Sequence, residues 1–418
     1  MRKTNNMTAA SRKLDDVIHE IAFMELGDER PVFDSDPTMA RLKETGTELW
    51  IDTGDMERAR SIWKSELTAL TTNNTLANQV VQTGVMDEVI GETVSRLKEI
   101  APGLPQEERV TEIGFVINCR IALRLVRAFK TRVSVELHPS MSRDIERTIN
   151  YAWRYYRVCP EHFTIKIPLT PEGYLAVRTL RKEGMPINFT LGFSARQNYL
   201  AARLSNPDYL NVFLGRLNQV VSENSVGNGE LVGEKVALAT QEALLGIRKH
   251  CPGVTTKLIG ASIRNGAQVK FLAGLDVLTI PPAAMEQFLS SEDPGSIESN
   301  IGKEIQPGID SKHSMATRFP KLWEVPESFR QFVDDLLAER NLACMTGEEL
   351  EAFCRKRSID LFYSFSADNL KKIIDQGKIP LLEDWPEKIA LDDLMTQSAL
   401  QSFSKDQGSL DDRIRSFL

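Results

Sequence analysis

The chain is constrained first by a rhythm. Short apolar, β-branched runs recur, and each is followed by a stretch with helical periodicity. The runs read ELWID (48–52), ALTTN (69–73), RVSVELH (132–138), FTIKIP (163–168), INFTLGFS (187–194), YLNVFLGR (209–216), TKLIGAS (256–262) and VLTIPP (277–282). Between them lie helical patterns such as MERARSIWKSEL, SRDIERTINYAWRYYRV and GEKVALATQEALLGIRKHC. Strands alternating with helices argue for a parallel sheet, because a parallel neighbour is reached only through a crossover. Eight such units between residues 48 and 282 fit a closed (β/α)8 TIM barrel of the α/β class better than an open sheet. Residues 1–45 read as an N-terminal helical lead-in, 46–290 as the barrel, and 291–418 as a loop and helical C-terminal extension packing on it. The gap between the second and third runs has room for two helices. The stretch SSEDPGSIESNIGKEIQPGIDSKHS (290–314), rich in turn formers and poor in apolar residues, predicts an exposed loop.

The bulk numbers narrow the function classes. A chain of 418 residues with 42% hydrophobic and 26% charged content can bury a large core, and its formal net charge of -7 disfavours nucleic acid or an anionic membrane as partner. Five cysteines, at 119, 159, 251, 344 and 354, are widely spaced with no C-x-x-C, which predicts reduced thiols and no metal site. The start, MRKTNNMTAASRKLDDVIHEIAF, is basic but lacks the apolar core of a signal peptide, and no run approaches the length of a membrane span. Cytoplasmic residence is the expectation.

Function is written in the alternation within the strands. One parity is apolar: Leu49 and Ile51, Val135 and Leu137, Ile165 and Ile167, Phe189 and Leu191. The other carries Asp52, Thr71, Asn73, Ser134, Glu136, Lys166, Asn188, Thr190 and Ser194, and the seventh unit adds Ser262 and Arg264. Each has a plain structural explanation. A strand lysine usually lies at an edge, Asp52 could cap the next helix, and Glu136 could pair with Arg132. Convergence weighs against that, because burying so many polar groups at one barrel mouth costs stability unless they serve a ligand. The set suits covalent amine catalysis. A free ammonium with a pKa of roughly 10.4 is a poor nucleophile at neutral pH, and desolvation favours the neutral amine that can attack a ketone. The iminium then withdraws electrons from a neighbouring C–C bond while a carboxylate moves protons, and arginines hold a phosphate.

The motifs FTIKIPLTPEG, GMPINFTLGFSARQNYLAA, NVFLGRL, IGASIRNGAQVKFLAGLDVLTIPP, WIDTGD and TTNNTL, between about 46 and 285, resemble the transaldolase family. SADNLKKIIDQGKIPLLEDW and SFSKDQGSLDDRI resemble its carboxyl end more loosely. The resemblance implies a (β/α)8 barrel with Lys166 as the Schiff-base lysine on the fourth strand. It implies Asp52 as the acid/base at the C4 hydroxyl, and Glu136 and Thr190 as holders of the catalytic water. Asn73 and Asn188 would contact donor hydroxyls, with Arg216, Ser262 and Arg264 at the phosphate. Thr71, Ser194 and Asn211 complete the expected substrate-binding set. Phe213 stands where the related fructose-6-phosphate aldolases tend to carry tyrosine, which favours transfer over cleavage.

The chain departs from the family pattern at Asn211 (usually serine), Val212 and Asn74 (usually proline) and Gly192 (usually a larger apolar residue). The implied activity is transfer of a dihydroxyacetone unit from sedoheptulose 7-phosphate or fructose 6-phosphate to an aldose phosphate, in the non-oxidative pentose phosphate pathway. It needs no metal or organic cofactor, and the expected assembly is a monomer or homodimer. A fructose-6-phosphate-aldolase-like or altered-donor enzyme is the first alternative. A non-catalytic sugar-phosphate-binding barrel is the second.

Overall fold

The computed structural model describes residues 9–291 and 295–418. Eight parallel strands close into a barrel in chain order, with the first paired to the last. They are β1 (Glu48–Asp52), β2 (Leu67–Thr71), β3 (Arg132–Glu136), β4 (Phe163–Pro168), β5 (Ile187–Thr190), β6 (Tyr209–Phe213), β7 (Lys257–Ala261) and β8 (Val277–Ile280). Two helices lead in, α1 (Ala9–Ala22) and α2 (Pro37–Glu44). The crossovers are α3 (Met56–Ile62), α4 (Asn74–Gln82), α5 (Asp87–Ile100), α6 (Gln106–Phe129), α7 (Ile145–Val158), α8 (Pro171–Lys182), α9 (Ala195–Leu204), α10 (Leu214–Glu223), α11 (Val232–His250), α12 (Gly266–Phe271) and α13 (Pro282–Leu289). Then come α14 (Glu327–Leu337), α15 (Gly347–Lys356), α16 (Ala367–Gln376) and the long α17 (Leu391–Arg415).

The local code is visible at β4 and its helix. Phe163, Ile165 and Ile167 pack outward beneath the helices, and Thr170 accepts a hydrogen bond from Gly173 N at 3.0 Å with Pro171 at the first helical position. Three findings differ from the sequence reading. The second strand ends at Thr71, because Asn73 leaves the ladder to cap α4 through Leu76 N at 2.9 Å. The long gap holds three helices rather than two, since the Ala101–Pro105 stretch breaks α5 from α6. Residues 295–313 contain no helix or strand, yet they are not a free loop. Ile297, Ile301, Ile305 and Ile309 pack on the core, and Gly308 N and Asp310 N donate to Glu230 O and Val226 O at 2.7 and 2.8 Å. Residues 292–294 lie outside the described ones.

Across the C-terminal ends of the strands runs α17. Its first turn is fixed by a buried ion cluster. Arg196 at the start of α9 meets Asp392 through two bonds of 2.8 Å and Asp360 at 2.6 Å. Further along, Thr396 donates to Leu191 O at 3.0 Å, Asn74 donates to Gln407 at 2.9 Å, and His138 lies 3.2 Å from Asp411. The helix is therefore tied to the loops after β2, β3 and β5. No helix among the described residues is long and apolar enough to cross a membrane.

Removing one member of a buried ion pair leaves an uncompensated charge. Asp392→Ala should cost about 3 kcal/mol in urea unfolding, and Asp360→Ala, whose carboxylate is partly solvated, less than half of that.

Candidate active site

Strand register assembles the centre. Glu136 of β3, Lys166 of β4 and Asn188 of β5 are consecutive partners across two ladders. Lys166 is 4% exposed and Glu136 5%. The ammonium lies 3.1 Å from Glu136 Oε2, an ion pair whose direction is off that of a well-aligned hydrogen bond, and it donates to Thr72 O at 3.2 Å. On the other side Asp52 Oδ1 accepts from the Thr71 hydroxyl at 2.6 Å. Thr71 spends its one proton there, so Thr279, 2.7 Å away, must be the donor in their contact. Asn188 Nδ2 donates to Ser134 Oγ at 3.2 Å, and Asn211 Nδ2 approaches Asn188 Oδ1 at 3.4 Å.

These placements fix the electrostatics. Burial raises the Asp52 pKa, while the charge of Lys166 and the Thr71 hydrogen bond oppose the shift. Burial raises that of Glu136 too, against the attraction of Lys166 and with a smaller push from the Asp52 charge. The Thr190 hydroxyl and Arg216 Nη1 are buried without a hydrogen-bond partner among the described residues. Buried polar atoms left unpaired in this way mark a place built for a polar ligand.

A second cluster forms where β6 and β7 end. The Arg216 guanidinium sits 5.9 Å from the centre of the Phe213 ring, and Phe213 packs against Phe193 at 5.7 Å and Phe403 of α17 at 6.5 Å. Burial and the neighbouring Arg264 push the Arg216 pKa down to about 10, and burial lowers that of Arg264. Gly215 permits the approach, since a Cβ there would stand 2.1 Å from Ser262 O and 2.7 Å from Arg264 Cγ. Ser262 itself holds a positive φ of 62°, a strained conformation for a non-glycine residue.

Of the residues singled out in the sequence, Lys166, Glu136, Asp52, Thr71, Thr190, Asn188 and Asn211 come from neighbouring strand ends. Phe213, Arg216, Ser262 and Arg264 gather in the arginine cluster. Two are otherwise engaged. Ser194 is not brought to the lysine: its hydroxyl accepts from Gln197 N at 3.1 Å and donates to Asp392 at 2.7 Å, both contacts serving the α9 cap and the α17 anchor. Asn73 uses its side-chain oxygen as the α4 cap. The sequence reading missed Thr279, the Thr72 carbonyl, and the α17 residues Phe403, Asp406 and Gln407. The only signal for these last three was the resemblance of SFSKDQGSLDDRI to a family carboxyl end.

Comparison with known proteins agrees with the geometry. Residues 49–338 match the family described as Transaldolase/Fructose-6-phosphate aldolase. The chain is 28% identical over 342 residues to a transaldolase of Kluyveromyces lactis, covering 78% of this chain and 93% of that protein. It is 27% identical over 252 residues to one from Shewanella baltica, covering 59% and 77%, and 25% identical over 315 residues to one from Agrobacterium fabrum, covering 70% and 92%.

A carboxyl whose folded pKa lies above its unfolded value keeps a proton that the unfolded chain releases. Stability therefore falls as pH rises from the unfolded towards the folded value, and stays lower above both. Asp52→Asn keeps an acceptor for Thr71 and removes the charge. Its unfolding midpoint at pH 7 should exceed that of the wild type by about 2 °C, with the difference shrinking as the pH is lowered.

Proposed function

The chain belongs to the transaldolase/fructose-6-phosphate aldolase family and is a transferase of the transaldolase type; from that premise we propose that it moves a dihydroxyacetone unit between sugar phosphates through a Schiff base on Lys166. The observation that carries this reading is the sealed pair of Lys166 and Glu136, 3.1 Å apart on adjoining strands, with the Asp52 carboxylate close enough to feel the lysine charge. An amine, a proton acceptor and a second carboxylate are what the reaction needs, with no resident cofactor.

The steps follow from those positions. Lys166 Nζ adds to the keto carbon, C2, of a ketose phosphate, giving up a proton to Glu136. The carbinolamine then loses its hydroxyl, protonated, as water, leaving an iminium. Asp52 takes the proton of the C4 hydroxyl, the C3–C4 bond breaks, and its electron pair moves into the iminium to form an enamine. The aldose phosphate departs. C3 of the enamine then attacks the aldehyde carbon of the acceptor, Asp52 returns the proton, and water held by Glu136 and the unpaired hydroxyl of Thr190 releases the product from the lysine. Arg216, Arg264 and Ser262 receive the phosphate, which fixes the reacting carbons by the far end of the sugar. Asn188, and the amide nitrogen that Asn73 keeps while its oxygen caps α4, contact donor hydroxyls. Sedoheptulose 7-phosphate and fructose 6-phosphate are the donors this reading favours, which places the enzyme in the non-oxidative pentose phosphate pathway.

Asn211 favours a variation on that reading. It is 2% exposed, approaches Asn188, and reaches Gly192 N at 3.5 Å. A longer side chain than serine here reshapes the end of the pocket that takes C1–C3, so a donor altered at that end is the second reading.

Borohydride added with a ketose phosphate should trap a covalent adduct on the wild type, seen as a gain in intact mass and located on the Lys166 peptide. Lys166→Ala should show neither adduct nor transfer, and a persistent mass gain in that variant would sink the assignment. Asn211→Ser should shift the ranking of donors by about tenfold or less in kcat/KM, read from a matrix of donors and acceptors.

A further inference from the structure

The arginine cluster contains an acid that the proposed reaction does not use. On α17, Phe403 packs against Phe213, and Asp406 lies three residues further along, on the same side of the helix. The Thr75 hydroxyl donates to Asp406 Oδ2, and Asn74 fastens the next residue, Gln407, at 2.9 Å. Both partners sit in the first turn of α4, directly after the capping Asn73. The carboxylate is thereby held on the Arg216 side of the mouth, close enough for its charge to act on the buried guanidinium in opposition to that of Arg264.

This arrangement is costly if the arginines alone were meant to hold an anion. An incoming phosphate meets two cations and one fixed anion. Arg216 is buried while Arg264 and Asp406 reach solvent, so it is at the Arg216 end that a fixed charge is least screened and changes affinity most. The Thr75 hydrogen bond keeps the carboxylate from swinging away. Asp406 makes no ion pair among those of the described residues, so its charge remains available to act on the cluster.

We propose that Asp406 is a specificity-determining residue of the arginine site. Its carboxylate offsets part of the field of Arg216 and Arg264, and so sets how tightly a phosphate monoester is held and by what margin phosphorylated sugars are preferred over unphosphorylated ones. The proposal rests on the reading that those arginines receive the phosphate end of the substrate. Its consequence is release: a site with both arginines uncompensated would hold a phosphorylated product as firmly as the substrate, and slow turnover at saturating concentrations.

The test uses the full chain and inorganic phosphate, titrated calorimetrically at fixed ionic strength. Asp406→Asn preserves the acceptor for Thr75 and deletes only the charge. It should bind phosphate about fivefold more tightly than the wild type, and lower KM for a phosphorylated ketose without lowering it for the unphosphorylated sugar. Thr75→Val breaks the latch but keeps the charge on the chain, and should tighten phosphate binding in the same direction as Asp406→Asn but by a smaller factor. Unchanged or weaker phosphate binding in Asp406→Asn, or tightening in Thr75→Val that exceeds that of Asp406→Asn, overturns the proposal. Arg216→Gln separates the two layers. If it abolishes phosphate binding while Asp406→Asn has no effect, the arginine site stands and the role of Asp406 falls. If it leaves binding intact, the arginine site falls and takes this proposal with it.

Discussion

The ammonium of Lys166 and the carboxylate of Glu136, 3.1 Å apart and almost sealed from solvent, are the contact on which the rest of the molecule depends. Withdrawing two charges from water costs several kcal/mol per ion, and their mutual attraction repays this only when the geometry is held. The upward shifts at Glu136 and Asp52 show that repayment to be incomplete. Some other part of the fold must supply the difference. The closed barrel does so by register. Hydrogen-bonded ladders on both sides of β4 leave Lys166 no freedom to slip, since a slip of one residue would turn every side chain of the strand to the opposite face.

Closure of the mouth is the second requirement, and it falls to chain far from the strands. The Arg196–Asp392–Asp360 cluster anchors the start of α17 on the β5 side, while Gln407 and Asp411 reach the loops after β2 and β3. One helix thus bridges several of the loops whose residues surround the lysine. Leu191, held at a positive φ of 70°, gives its carbonyl to Thr396, so strain in the β5 loop is balanced by a contact with the same helix. The 295–313 segment, docked through four isoleucines, leads the chain back from β8 towards these outer helices without a regular element of its own.

The strands were legible because their apolar parity is nearly unbroken. ELWID and FTIKIP coincide with β1 and β4, and Lys166 stands out as the one cation within its strand. The second strand was displaced because Leu67 ends a stretch that reads as helix, MERARSIWKSEL, whereas α3 stops at Ile62. The polar Thr72 and Asn73 then looked like strand when they turn the chain into α4. Within the site, side chains on alternating strand positions could be found. The Thr72 carbonyl could not, since a backbone atom leaves no mark in a side-chain pattern, nor could Thr279, whose meaning comes only from its neighbour Thr71 across the closed seam. The face of α17 was hidden for a different reason. The helix buries Asp392, Thr396, Gln397, Ser398 and Gln407 alongside Leu394 and Phe403, so it has no clean apolar stripe to read.

The departures from the family pattern acquire a physical sense once placed together. Gly192 faces the Asn211 carbonyl so closely that a Cβ would sit 2.1 Å from the oxygen, and Asn198 donates to that same carbonyl at 3.2 Å. Without a side chain at 192, β6 can approach the β5 loop, and Asn211 is brought to Asn188. The glycine answers the backbone of residue 211, and the Asn211 side chain then reaches back to Gly192 N at 3.5 Å. Asn74 belongs to a second such pair, because its amide finds Gln407 on α17, a contact that proline could not make. The first pair lies beside Asn188, the strand neighbour of Lys166, and the second fixes the helix that carries Asp406. Between them Lys166, Glu136 and Asp52 stand on neighbouring strand ends, so both pairs of changes lie to either side of the cluster proposed to carry the chemistry.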